Sequence, residues 1–143
     1  MTHYCIASDH AGFRLKETLK SYLNSQGHQV QDLGTDSEES VDYPDYALKV
    51  VGHIKAEQDS VGILICGTGI GMSIAANRYP GVRAAVCNEG VRSAVLARQH
   101  NNANILCLGA RLIDEKIALE TLQAFIDTPF EGGRHQRRVD KLG

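Results

Sequence analysis

Residues 61–73 read VGILICGTGIGMS, and this stretch decides the fold. The first five residues form a short, continuous apolar run rich in β-branched side chains, the pattern of a strand buried on both faces. Cys66 closes the run, and Gly67, Gly69 and Gly71 lead into a helical segment carrying Met72, Ile74 and Ala75. Working outward, similar strand-like runs fall at 3–8, 28–33, 82–87 and 105–108. Helical spacing separates them: Leu15, Leu19, Tyr22 and Leu23 before a C-capping Gly27; Ala47, Val50, Val51 and Ile54 after Pro44; then Val91, Ala94 and Val95. A last helical stretch carries Ile117, Ala118, Leu122, Phe125 and Ile126 and is broken by Pro129. Strand and helix alternate five times. The order predicts an α/β protein, a three-layer sandwich with a five-stranded parallel sheet and helices on both faces.

The 143 residues fit one domain, 1–143, with 131–143 (EGGRHQRRVDKLG) as a polar, basic C-terminal tail. Fifteen basic residues against seventeen acidic ones give a net charge of −2, so no general attraction to nucleic acid or an anionic membrane is expected. No run of about 18 apolar residues is present, which excludes a membrane-spanning helix. The opening MTHYCIASDHAGF lacks a basic region followed by a long apolar stretch, so a cytoplasmic location is expected. Cys5, Cys66, Cys87 and Cys107 form no C-x-x-C pair, and no histidine pair has the H-x-x-x-H spacing, so no metal site is expected. Cys5, Cys87 and Cys107 read as small buried hydrophobes.

Parallel sheets bind ligands outside the carboxyl ends of their strands. Polar residues gather at those ends: Asp9 and His10, Cys66 to Thr68, Asn88 and Glu89, and Gly109 to Arg111. The glycine turn after Cys66 lets a backbone approach an anion and offers amide hydrogens to a phosphate or a developing oxyanion. Its spacing is neither G-x-x-x-x-G-K-[ST] nor G-x-G-x-x-G, because Met72 stands where the third glycine belongs. A thiol at such a turn is drawn toward thiolate and can act as base or nucleophile. His100 and Asn101 follow the fourth helix. Arg134 and Arg138 share a helical face at i, i+4, suited to bidentate contact with a phosphate. Nucleotide or phosphate binding without catalysis also fits the sheet and loop, but leaves Cys66 and His100 unused.

Five motifs occur in order: SDHAGF (8–13), YPDYA (43–47), GILICGTGIGMSIAAN (62–77), RQHNNANILCLGAR (98–111) and EGGRHQRR (131–138). Together they resemble the ribose-5-phosphate isomerase B family, with relatives acting on galactose 6-phosphate and allose 6-phosphate. The resemblance implies a cofactor-free aldose–ketose isomerase on a Rossmann-like fold, a homodimer or dimer of dimers with sites shared between subunits. It implies Cys66 as the base between C1 and C2, and Gly67, Thr68, Gly69, Ile70 and Gly71 as the enediolate-binding loop, with the Thr68 hydroxyl assisting. His100 matches the ring-opening acid, with Asn101 beside it. Asp9 and His10 match the sugar-binding pair, Tyr43 lines the pocket, and Arg111, Arg134 and Arg138 match phosphate ligands. One branch of the family has a Glu base just after the loop. Met72 occupies that place, which puts this chain in the cysteine branch.

Overall fold

A computed structural model describes residues 2–143. The elements run β1 (His3–Ser8), α1 (Phe13–Ser25), β2 (Val30–Asp32), α2 (Tyr43–Ala56), β3 (Ser60–Cys66), α3 (Ile70–Ala76), β4 (Ala84–Val86), α4 (Val91–Asn101), β5 (Ile105–Gly109), α5 (Glu115–Asp127) and α6 (Arg134–Asp140). All strand pairs are parallel, in the order β2-β1-β3-β5-β4. The expected run at 61–65 is the central strand. Ile63 and Ile65 point into one core with α1, α4 and α5, while Leu64 and Cys66 point into a second with α2 and α3. Burial on both faces explains the unbroken apolar run.

Sequence and structure differ at the sheet edges. β2 keeps three of the six residues expected for it, and β4 three of six. Each is an edge strand with one neighbour, so its ends lack a second ladder to hold them. Arg83, just before β4, turns its N–H to the Asn104 side chain at 2.8 Å instead of a strand carbonyl. The C-terminal segment also gains structure: α6 forms within the expected tail and buries His135 and Val139.

Lys16 on α1 is fully buried, and its ammonium meets Asp32 Oδ2 at 2.6 Å; Lys20 reaches the same oxygen at 2.8 Å. Burial alone would push the Asp32 carboxyl up. Hydrogen bonds from Lys16, Lys20 and the Gly34 N–H outweigh that effect and hold it below its ordinary value of 3.8. The resulting stabilisation is complete above that value and is lost as pH falls through the lowered one. Asp32→Asn leaves a buried ammonium without its closest counter-charge and is expected to cost about 3 kcal/mol. Thermal unfolding at pH 7 should then drop by about 10 °C, with a smaller difference from wild type in acid.

Candidate active site

Five connections leave the carboxyl edge of the sheet; those after β1, β3 and β5 carry residues singled out in the sequence, and the one after β2 leads to Tyr43. The helices leaving β1 and β3 lie on opposite faces, the change of face at which open parallel sheets bind ligands, and Asp9-His10 and the Cys66 loop stand at those two strand ends. Asp9 is buried; its N–H donates to the Ile65 carbonyl, and its Oδ1 accepts from Gly12 N–H at 3.1 Å. His10 Nδ1 accepts from Val41 N–H at 3.2 Å. That bond leaves Nε2 as the hydrogen-bearing nitrogen of the neutral ring.

Cys66 ends β3 with 5% of its surface exposed, and its Sγ accepts from Gly69 N–H at 3.1 Å. Gly69 has a φ of +76° and lies against β5; a Cβ there would sit 2.8 Å from the Leu108 carbonyl carbon. Only glycine makes that turn without strain. The Thr68 hydroxyl accepts from Ile70 N–H at 3.2 Å and is exposed, as is Ile70. Arg111 follows β5, its N–H bonded to the Gly67 carbonyl, and its guanidinium lies over Gly67, 3.0 Å from where a Cβ would stand. Tyr43, at the start of α2, packs its ring on Gly71. The other thiols are set apart. Burial pushes Cys5 up to about 12 and Cys87 up to about 11, and raises Cys107 as well. A buried neutral thiol is a poor nucleophile.

His100, Asn101, Arg134 and Arg138 lie elsewhere. α4 runs back from β4, so its last turn stands at the amino edge of the sheet. β5 begins level with Gly62 and ends level with Cys66, four residues further, or about 13 Å. Asn102, at a φ of +47°, ends α4, and Arg98 fixes that end by donating to the Ala103 and Thr128 carbonyls. α6 docks beside it: Glu131 N–H bonds to the Gln99 carbonyl, and the His135 ring stacks on His100 with centroids 4.3 Å apart and planes 18° apart. Arg134 and Arg138 are exposed on this edge. One chain therefore gathers Asp9, His10, Tyr43, Cys66, the glycine loop and Arg111 at one edge, and the other four residues at the opposite one.

Two residues at these edges were not singled out as site residues. Asn88, just after β4, ties Thr68 to Gly109; its placement at a strand's carboxyl end was the available signal. His135 meets Glu131 at 3.4 Å and, with His100, brings three ligand-type atoms within 4.8 Å of one another.

The parallel order, the change of helix face between β1 and β3 and the glycine loop after β3 define an α/β protein of the Rossmann-like class. The Ribose/Galactose Isomerase family model matches residues 4–142, and the chain belongs to that family. It is 44% identical over 142 residues to ribose-5-phosphate isomerase B of Escherichia coli, covering 99% of this chain and 95% of the relative. A solved ribose 5-phosphate isomerase of Thermotoga maritima superposes with a TM-score of 0.96 at 57% identity, covering 99% of this chain and 97% of that one. Ribose-5-phosphate isomerase B of Mycoplasma genitalium, solved with bound ribulose-5-phosphate, gives 0.94 at 43% identity, covering 99% and 93%.

Proposed function

We propose that this protein is a ribose-5-phosphate isomerase, interconverting D-ribose 5-phosphate and D-ribulose 5-phosphate without a cofactor. The observation that carries the reading is Cys66, held by a glycine-loop amide at the sheet's carboxyl edge, with the Arg111 guanidinium over the neighbouring Gly67. The thiolate of Cys66 takes the proton from C2 of the open-chain aldose, the O2 hydroxyl proton passes to O1, and the thiol returns the carbon-bound proton to C1. Between the two steps the sugar is an enediolate, whose oxygens the Gly67 and Gly71 amides and the Thr68 hydroxyl stabilise, while the Gly69 N–H stays on the Cys66 sulfur. A preorganised donor set of this kind is worth about 10² to 10³ in rate per donor. Asp9, His10 and Tyr43 hold the sugar, and Arg111 begins a phosphate site.

The ring must open before isomerisation, and His100 supplies the proton to the ring oxygen, with Asn101 beside it. The separation of the two edges supports a site made by two chains. Cys66 of one subunit works with His100, Asn101, Arg134 and Arg138 of the other, in a cytoplasmic homodimer or a dimer of such dimers. Ile70, Ile74 and Leu142 are 51%, 57% and 62% exposed in the single chain, and offer apolar surface for that pairing.

A panel of ribose 5-phosphate, allose 6-phosphate and galactose 6-phosphate tests the substrate. The five-carbon sugar should give the highest kcat/KM; a six-carbon aldose turning over faster would replace it as the substrate. Arg138→Ala should raise KM by about tenfold, the cost of a lost charged hydrogen bond, and the wild-type KM should rise with salt. An unchanged KM in the variant would remove Arg138 from the phosphate site.

A further inference from the structure

Asn88 donates from Nδ2 to the Thr68 carbonyl at 2.7 Å, and its Oδ1 accepts from Gly109 N–H, also at 2.7 Å. The Thr68 carbonyl and the Gly69 N–H belong to one peptide unit, and that N–H points at Cys66 Sγ, 3.1 Å away. A peptide is planar and trans, so its oxygen and its hydrogen point in opposite directions. Fixing the oxygen fixes the direction of the hydrogen. A hydrogen bond accepted by a carbonyl also polarises its own N–H, making it a stronger donor. The far side of Asn88 is anchored on the end of β5, which presses on the same peptide: a Cβ on Gly109 would lie 2.6 Å from the Thr68 carbonyl carbon and oxygen. The loop therefore rests on Gly109 from below and is held at its carbonyl by Asn88.

We propose that Asn88 is a positioning residue for the reaction: through the Thr68–Gly69 peptide it aims the amide hydrogen that stabilises the Cys66 thiolate. It touches neither the thiol nor the sugar in this role. The inference rests on Cys66 being the base.

The test uses purified Asn88→Ala and Asn88→Asp, with far-ultraviolet circular dichroism and thermal unfolding to establish that each is folded. Asn88→Asp keeps the shape and the acceptor for Gly109 but loses the donor to Thr68; Asn88→Ala loses both without adding charge. Both should lower kcat on ribose 5-phosphate by about tenfold or more, less than deleting an oxyanion donor outright, while KM stays within about twofold. The second readout needs no turnover. Cys66→Ala sets the background, and the ultraviolet thiolate absorbance above it at fixed neutral pH should be smaller in both variants than in wild type. Folded variants with wild-type kcat and wild-type thiolate absorbance would overturn the proposal. A loss confined to Asn88→Asp would overturn it too, since it would reflect added charge. If wild type shows no turnover, the isomerase reading fails while the absorbance still decides the role of Asn88.

Discussion

Cys66→Ala is expected to lower kcat/KM on ribose 5-phosphate by about 10² to 10⁴, the range for removing a general base, with binding of ribulose 5-phosphate kept. The side chain is nearly enclosed and contributes one sulfur to the core of α2 and α3, so alanine leaves the fold intact. What disappears is the proposed base, and its neighbours do not replace it: Met72, which follows the loop, has no proton to exchange, and Asp9 is tied to the Gly12 N–H. The glycine loop survives the substitution and still recognises the enediolate, which leaves a residual rate above the uncatalysed one. A coupled assay with the purified variant checks this, and calorimetry with ribulose 5-phosphate separates lost chemistry from lost binding. Turnover within about twofold of wild type, far inside the expected range, would reject Cys66 as the base.

The second large effect is a recovery. Cys66→Ala and His100→Asn should each be nearly inactive alone. A heterodimer of the two, co-expressed with different tags and purified by both, pairs the intact Cys66 of one chain with the intact His100 of the other. One of its two sites is whole and the other carries both substitutions, so about half of the wild-type activity per dimer should return. The prediction follows from the fold. Within one chain the end of β3 and the end of α4 face away from each other across the sheet. A site completed inside a single chain predicts no recovery in the heterodimer.

Much of this arrangement was legible from residues alone, for physical reasons that differ along the chain. β3 was plain because burial on both faces demands an unbroken apolar run, and the neighbouring glycines mark where the backbone turns onto β5. The edge strands β2 and β4 were overdrawn. Val82 and His28 carry strand-like character but lie beyond the ladder, Val82 buried and the His28 ring tilted against Tyr4. The gathering of Asp9, His10, Cys66 and Arg111 followed from strand ends. The position of His100 was implicit in the same alternation, because a helix leaving β4 must run back to the amino edge.

The contacts of Asn88 and His135 depend on how elements distant in sequence dock. Asn88 spans from the end of β4 to a loop twenty residues earlier, and His135 meets His100 only because α6 folds against α4. No local pattern records either contact. α6 itself was visible only as a shared face of Arg134 and Arg138, since a seven-residue helix starting at Arg134 carries a weak periodic signal.

The central claim is that this site forms an enediolate by moving a proton on and off one sulfur. Incubating the wild-type protein with ribose 5-phosphate in deuterated water, with proton nuclear magnetic resonance on the sugar, reads that proton directly. Ribulose 5-phosphate carrying deuterium at C1, formed by wild type and not by Cys66→Ala, is the expected result. No ketose from the wild type, or the same labelled ketose at the same rate from the variant, would contradict it.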